Sequence, residues 1–326
     1  MPEYLSIRGG EQLRGDVRIS GAKNAALPLL MATLLSAEES RIRNVPDLDD
    51  ICVTLRLLQS LGARTEFASH EVVVRADTLT CVEAPFALVK AMRASFWVLG
   101  PLLARAREAH VALPGGDAIG TRPVDLHLQG LTQLGADIRI QHGVVIASAQ
   151  GGLRPGKVEL AYPSVGATHQ LLMAAALIEG ETILLGAARE PEVVALADFL
   201  VSMGAAIEGA GTNQIVIRGR EQLGGGSATV LGDRIEAATY LVAGAMTGGS
   251  VTVNGVEQDD LKSMLALLAD AGCIVSAEPG ASGTERLSLS GPERLSPVSF
   301  ETAPFPGVAT DVQPLLMAAA TRSDGI

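Results

Sequence analysis

Apolar residues along this chain fall into two alternating kinds of segment, one uniformly apolar and one apolar on a single helical face. The first kind carries LLMA at residues 29–32, 171–174 and 315–318, at intervals of 142 and 144, and the second and third copies extend to LLMAAA. The second kind ends in Gly-Ala or Gly-Cys at Gly62, Gly135, Gly204 and Gly272, spaced by 73, 69 and 68 residues. Four and eleven positions before each glycine stand Leu58 and Ile51, Leu131 and Val124, Leu200 and Val193, and Leu268 and Leu261. A spacing of seven keeps such a pair on one helix face. The glycine supplies a left-handed helix stop, and a strand is predicted to follow, as at Ala136–Ile140 and Cys273–Ala277. The pattern predicts an α/β protein built from a unit of about 70 residues, half the LLMA interval.

The third copy gives the order within a unit. An apolar helix (Ala167–Ile178) leads to a turn at Glu179 and Gly180, a strand (Thr182–Leu185), an acidic loop and an amphipathic helix. Units of this kind cannot bury both helix faces alone, so they are expected to pack together into domains. The fifth unit opens with a helix predicted over Asp311–Ala320, and Asp324, Gly325 and Ile326 match the turn and first strand residue of the third. On the repeat alone the expectation is a C-terminally truncated sequence lacking at least the rest of that unit.

Length and composition narrow the class. At 326 residues and 48% hydrophobic content the chain is long enough for two globular domains. Its longest apolar run, residues 25–35, contains Pro28 and falls short of the roughly 18 to 20 residues that cross a bilayer, so no membrane span is expected. The N-terminus, MPEYLSIRGG, lacks the basic start and apolar core of a secretory signal, which makes the cytoplasm the expected compartment. A net charge of −11 argues against a nucleic-acid partner and requires any anionic ligand to be held by short-range contacts. Cys52, Cys81 and Cys273 are too scattered for a disulfide framework or a zinc site and are expected to be buried, reduced thiols. The five histidines are as scattered, so no metal is expected, and a monomer is the default.

The richest chemistry lies in PGGDAIGTRPVDLH, residues 114–127. Gly115, Gly116 and Gly120 allow close backbone approach, and Pro123 and Asp125 are residue types favoured in a first helical turn. Such a junction can hold an anion, although the loop by itself fits an ordinary glycine turn before a helix. Lys23 and Asn24 stand in ISGAKNAALP at the entrance to the first apolar helix, where Asn24 reads structurally as an N-cap. Asp311, in TAPFPGVATDVQ, follows Thr310, which has capping-box spacing to Gln313. Asp233 and Glu236, in GDRIEAATY, form another N-terminal acid pair.

Structure explains each of these segments singly and leaves their combination unexplained. ISGAKNAALP, MRASFWVLGPL, PGGDAIGTRPVDLH, PSVGAT, AAREPEV, DRIEAATY and TAPFPGVATDVQ, in this order, resemble the UDP-N-acetylglucosamine 1-carboxyvinyltransferase family of enolpyruvyl transferases, over essentially the whole chain. The resemblance implies an inside-out α/β barrel of two domains built from repeated βαβαββ units, the EPSP synthase-like fold. The first domain would span residues 23–231, and the second 1–22 plus 232–326, incomplete at its C-terminal end. It implies transfer of the enolpyruvyl group of phosphoenolpyruvate to the 3′-hydroxyl of UDP-N-acetylglucosamine with release of phosphate, the opening step of peptidoglycan synthesis, with no metal or organic cofactor. Lys23 matches the lysine that contacts phosphoenolpyruvate, and Arg122 an arginine shared by both substrates. Asn24, Arg93, Arg122, Pro123, Val124, Asp125, Leu126, Ser164, Val165 and Gly166 match the sugar-nucleotide contacts. Asp311 matches the carboxylate that takes the proton of the attacking hydroxyl.

Two residues depart from the family's usual pattern. Tyr162 stands where many members have a lysine near the nucleotide. Asp117 stands where most have the cysteine that is the proposed proton donor to C3 of phosphoenolpyruvate and the thiol alkylated by fosfomycin; a minority carry aspartate there. The resemblance therefore makes Asp117 the catalytic acid and implies insensitivity to fosfomycin. Two other readings compete. The sister enzyme making 5-enolpyruvylshikimate 3-phosphate shares the architecture, but its glycine-rich shikimate-binding signature is absent. A non-catalytic truncated chain or sugar-nucleotide-binding remnant is the other, because the family supplies further arginines from beyond the position of Ile326.

Overall fold

The computed structural model describes residues 4–115, 123–280 and 284–326. They form two compact units, Gly21–Leu231 and a smaller one made of residues up to Ser20 together with Gly232–Ile326. Strand β1 (Arg14–Arg18) belongs to the smaller unit. The larger unit then begins with α1 (Lys23–Ala32), β2 (Ser40–Arg43), α2 (Asp49–Ser60), β3 (Arg64–Ala68) and β4 (Glu71–Arg75). A short α3 (Phe86–Ala91) and a 3-10 stretch (Arg93–Val98) precede α4 (Leu99–Ala106), β5 (Glu108–Ala112), α5 (Asp125–Gln133), β6 (Asp137–Gln141) and β7 (Val144–Ser148). The third pass runs through β8 (Lys157–Glu159), α6 (Val165–Ala175), β9 (Gly180–Leu185), α7 (Pro191–Ser202), β10 (Ala206–Glu208) and β11 (Gln214–Gly219), and β12 (Ser227–Thr229) ends the unit.

One sheet plan recurs. In each, a first strand lies parallel to a second, and the second is followed by an antiparallel pair in which the later strand is central: β8-β9-β11-β10, and β12-β2-β4-β3. The sheet β5-β7-β6 keeps the first position as a single parallel bridge, Glu83 to His110. β12 arrives from the far end of the unit to pair with β2, Ser227 opposite Arg41, so the unit closes on itself. The smaller unit repeats the plan with β1, α8 (Arg234–Met246), β13 (Ser250–Val256), α9 (Lys262–Asp270), β14 (Ile274–Pro279) and β15 (Glu285–Ser290), in the order β1-β13-β15-β14. This is the βαβαββ repeat that the resemblance implies, and it contains the helix–strand–helix–strand order read from the sequence.

The two kinds of apolar segment take different places. In α1 every residue from Ala25 to Ala32 is buried, as is every residue of α6 from Ala167 to Ala175. A helix apolar all round belongs in a core, and these helices occupy the centre of the larger unit. The sheets lie outside, each with one covered face, as Val72 and Val74 of β4 and Ile215 and Ile217 of β11 show. The arrangement is an inside-out barrel. α6 ends at Ala175 rather than Ile178, because the Ile178 N–H turns back to the Ala175 carbonyl and the Ile178 side chain plugs the core from the turn.

The glycine stops form one motif four times. The N–H of the residue after the glycine bonds back to the leucine four before it: Ala63 to Leu58 at 3.0 Å, Ala136 to Leu131 at 3.1 Å, Ala205 to Leu200 at 3.1 Å and Cys273 to Leu268 at 2.9 Å. The glycine N–H bonds to the residue three before it, and all four glycines have φ between 92° and 113°. This is the Schellman stop, so each leucine anchors the helix twice, by its buried side chain and by its carbonyl. Equal motifs need not be equally tolerant. A Cβ on Gly62 would lie 2.6 Å from the Thr78 carbonyl oxygen, whereas one on Gly135 meets only the Arg154 side chain at 3.8 Å. Gly135→Ala is expected to lose about 1–2 kcal/mol, the left-handed penalty alone, and Gly62→Ala clearly more, as read by urea denaturation; equal losses would refute the steric part.

In the smaller unit Asp233 caps α8, accepting from the N–H groups of Ile235 and Glu236, while Glu236 accepts from the backbone and hydroxyl of Ser20. The C-terminal helix differs from expectation. A 3-10 turn, Thr310–Val312, precedes α10 (Gln313–Ala320), and Ala309 at the cap position provides no side-chain acceptor. Thr310 thus falls inside the turn, and the expected capping box with Gln313 does not form. Cys273 is buried and its thiol is pushed up to about 11 by burial, but Cys52 and Cys81 are only half-buried. Cys52 follows the buried Ile51 on α2 and lies a helical step off its covered face. Among the described residues no helix is long and apolar enough to cross a membrane, and no cluster of metal-ligating side chains occurs.

Candidate functional site

The start of α5 and the start of α6 lie side by side in the larger unit. Leu171 of α6 packs where a Cβ on Gly130 of α5 would be, 2.7 Å from that position, so the missing side chain lets the helices approach closely. Pro123 and Val124 precede α5, whose first turn begins at Asp125. Pro123 was expected inside that turn; Val124, at φ −109°, holds the cap position and leaves the proline outside it. The Arg93 guanidinium reaches the Pro123 carbonyl at 3.4 Å and is close enough to His127 to disfavour its charged form. Across the helix pair, Ser164 caps α6 by accepting from the Ala167 N–H at 3.3 Å. Val165 and Gly166 form the first turn, where backbone N–H groups have no intrahelical acceptor and favour an anion. Arg93, Pro123, Val124, Asp125, Leu126, Ser164, Val165 and Gly166 are thus carried by one packed helix pair and the 3-10 stretch beside it. Tyr162 precedes the cap, 57% exposed, with its carbonyl accepting from the Ser164 N–H.

Behind this face is a polar cluster to which the sequence motifs assigned no role. His127, on α5, and Gln170, on α6, are buried, and His127 Nδ1 lies 2.5 Å from Gln170 Oε1. The Phe96 ring meets His127 edge-on at 5.5 Å, and Trp97 meets His169 edge-on at 5.1 Å. Burial pulls both histidines down to about 4, so both are neutral at pH 7. The available signal was a histidine and a glutamine in otherwise apolar helix faces, which a single sequence does not pair.

Lys23 opens α1 and forms an ion pair with Asp50 of α2 at 2.9 Å. Asn24 is not the helix cap, because the helix already begins at Lys23 and Ala22 occupies the cap position. It stands in the first turn beside the lysine. Asp311 lies in the other unit, in the 3-10 turn before α10. Gly116, Asp117, Gly120 and Arg122 lie outside the described residues; Gly115, just before them, runs so close to Lys90 that a Cβ would stand 2.2 Å from its carbonyl oxygen.

Comparison with known proteins agrees on kinship at three levels. The model of the family EPSP synthase (3-phosphoshikimate 1-carboxyvinyltransferase) matches residues 7–326. A UDP-N-acetylglucosamine 1-carboxyvinyltransferase of Chlorobium limicola is 47% identical over 325 residues, 99% of this chain and 76% of that protein. A second, UDP-N-acetylglucosamine 1-carboxyvinyltransferase 1 of Halalkalibacterium halodurans, is 44% identical over 324 residues, 99% of this chain and 72% of that protein. Among solved structures, the enolpyruvyl transferase NikO from Streptomyces tendae superposes with a TM-score of 0.83 at 26% identity, covering 98% of this chain and 75% of that one. EPSP synthase from Acinetobacter baumannii, at 18% identity and a TM-score of 0.70 over 95% of this chain and 70% of its own, shares the fold. A family match over nearly every residue, joined to relatives at close to half identity and to a fold with helices inside and sheets outside, makes this chain a member of the EPSP synthase family of carboxyvinyl transferases.

Proposed function

We propose that this protein transfers the enolpyruvyl group of phosphoenolpyruvate to the 3′-hydroxyl of UDP-N-acetylglucosamine and releases phosphate, a step of peptidoglycan synthesis carried out in the cytoplasm. The observation that carries this reading is the convergence of Arg93, Pro123–Leu126 and Ser164–Gly166 on the paired starts of α5 and α6, in a chain whose 44–47% identical relatives bear that name. A helix start with free N–H groups suits the diphosphate of a sugar nucleotide, with Arg93 adding fixed positive charge in a protein of net charge −11. Asn24 and Leu126 complete the sugar-nucleotide contacts in this reading. Lys23 and Arg122 hold phosphoenolpyruvate, Arg122 being shared with the nucleotide.

The chemistry is an addition followed by an elimination. Asp311 accepts the proton of the 3′-hydroxyl as its oxygen bonds to C2 of phosphoenolpyruvate, and Asp117 delivers a proton to C3. Loss of a proton from C3 and departure of phosphate then restore the double bond. In this reading the protein acts without a metal or organic cofactor. The test is phosphate release by the full chain with phosphoenolpyruvate and either UDP-N-acetylglucosamine or shikimate 3-phosphate as acceptor, with the product mass determined. Turnover with the sugar nucleotide alone is expected; turnover with shikimate 3-phosphate instead would overturn the reading.

A further inference from the structure

The first residue of α8 is Arg234, in the DRIEAATY segment to which the proposed chemistry gives no role. A cation there faces the positive end of the helix dipole, so the helix gains nothing from it. The start of α8 is served instead by Asp233, its cap, and by Glu236 in the same turn. The Arg234 guanidinium carbon stands 5.8 Å from the centre of the Phe305 ring, within reach of a cation–π contact. Phe305 belongs to the segment that leads into Asp311. There the Gly307 N–H bonds to the Pro304 carbonyl and the Ala303 N–H to the Val308 carbonyl, both at 2.9 Å, so the ring is carried on a closed turn. Val308 and Val312 are buried on either side of the exposed Asp311.

Beneath this segment the packing is incomplete. A water-sized cavity of about 10 Å³ lies between Gly307, Ala309 and Val312 on one side and Arg234, Asp260 and Ser263 on the other. Atoms that line a void lack close contacts on that side, so the segment has room to shift. Arg234 lines the cavity and also reaches Phe305, which ties the start of α8 to the segment across the gap. All of these groups belong to the smaller unit. We propose that Arg234 is a positioning residue for Asp311: stacked on Phe305, it holds the Ala303–Val312 segment to the start of α8 and so fixes where the Asp311 carboxylate stands. A general base works only within hydrogen-bond reach of its proton, and a displacement of about 1 Å is felt in the rate. The contact uses the face of an aromatic ring, which an aliphatic side chain of similar size does not reproduce. The catalytic half of this proposal rests on the enolpyruvyl-transfer reading, in which Asp311 is the base; the anchoring half does not.

The test uses the full chain and two readouts. Amide hydrogen exchange needs no substrate. Arg234→Gln and Phe305→Leu are each expected to speed exchange at the Ala303, Gly307 and Val312 amides roughly twofold to fivefold, the scale of one exposed cation–π contact. The amides of β13 and β15 should exchange as before, which shows that the unit is still folded. Phe305→Tyr, which keeps the ring face, is expected to behave as the unmodified protein. With phosphoenolpyruvate and UDP-N-acetylglucosamine, Arg234→Gln and Phe305→Leu should each lower kcat by about the same factor, with both KM values within about twofold. The combined variant should be no worse than either alone, because the two side chains share one contact. Unchanged exchange in Arg234→Gln, or a Phe305→Leu protein that matches Phe305→Tyr, overturns the anchor. Faster exchange with unchanged kcat overturns the link to Asp311. No turnover by the unmodified chain, with the exchange result obtained, instead counts against the enolpyruvyl-transfer reading and removes the catalytic half with it.

Discussion

Lys23→Ala is expected to lower kcat/KM for phosphoenolpyruvate on the order of 10²- to 10³-fold, the loss typical of one preorganised group that stabilises charge in a transition state. Its fold should be intact, because the side chain is 41% exposed and its ion pair with Asp50 is half-exposed as well. Exposed pairs of this kind contribute little to stability. The same pair supplies a second, opposite expectation. Asp50 neutralises part of the ammonium charge, so Asp50→Asn should lower the KM for phosphoenolpyruvate by roughly twofold to fivefold, the scale of a surface ion pair. Steady-state kinetics of the two variants check both signs. A Lys23→Ala enzyme within threefold of the unmodified one would remove the lysine from the reaction.

Asp117→Cys is expected to move the pH optimum of turnover upward. The group must be protonated to deliver a proton to C3. An unperturbed aspartate, at about 3.9, is protonated about once per thousand molecules at pH 7, whereas an unperturbed cysteine, at about 8.5, is mostly protonated. The acid form of aspartate is therefore lost as pH rises through a low value, and that of cysteine only at a much higher one. The difference leaves about a thousandfold more of the acid form available to the variant at neutral pH, so the alkaline limb of its rate profile should extend well beyond that of the unmodified enzyme. The variant should also gain what the carboxylate lacks, time-dependent alkylation by fosfomycin visible as a mass increase on residue 117. Superimposable pH profiles, or covalent labelling of Asp117 itself, would count against the assignment of the acid.

What the sequence disclosed depended on how local the cause was. The four helix stops were legible because glycine, the leucine four before it and the small residue after it lie within one turn, and the backbone bonds follow from that spacing. The central helices were legible because LLMA has no polar face to present to water. The start of α10 was misplaced, since Thr310 and Gln313 satisfy a capping pattern that the 3-10 turn at Thr310–Val312 displaces. His127 and Gln170 are 43 positions apart and belong to different helices, and only packing at Gly130 and Gly166 brings them together. The candidate nucleotide residues came from a resemblance of motifs; the structure contributes the helix pair at whose starts Pro123–Leu126 and Ser164–Gly166 stand.

The placement of β1 has a consequence for how the chain folds. β1 pairs with β13, Arg14 opposite Ser250, across a span that contains the entire larger unit. Closing so long a loop in a disordered chain costs about 5 kcal/mol in entropy, more than one edge strand readily offsets. Once Gly21–Leu231 has folded, its ends are already joined, the Ala22 N–H bonding to the Leu231 carbonyl at 2.8 Å, and just outside them the Asp233 N–H bonds to the Ser20 carbonyl at 2.9 Å. The folded unit then acts as a short clasp, and the loop that β1 must close shrinks from more than two hundred residues to roughly two dozen, most of them in α8. Folding is thereby given an order, the larger unit before the smaller, and a variant that melts the larger unit is expected to release β1 as well, although every partner of that strand lies elsewhere.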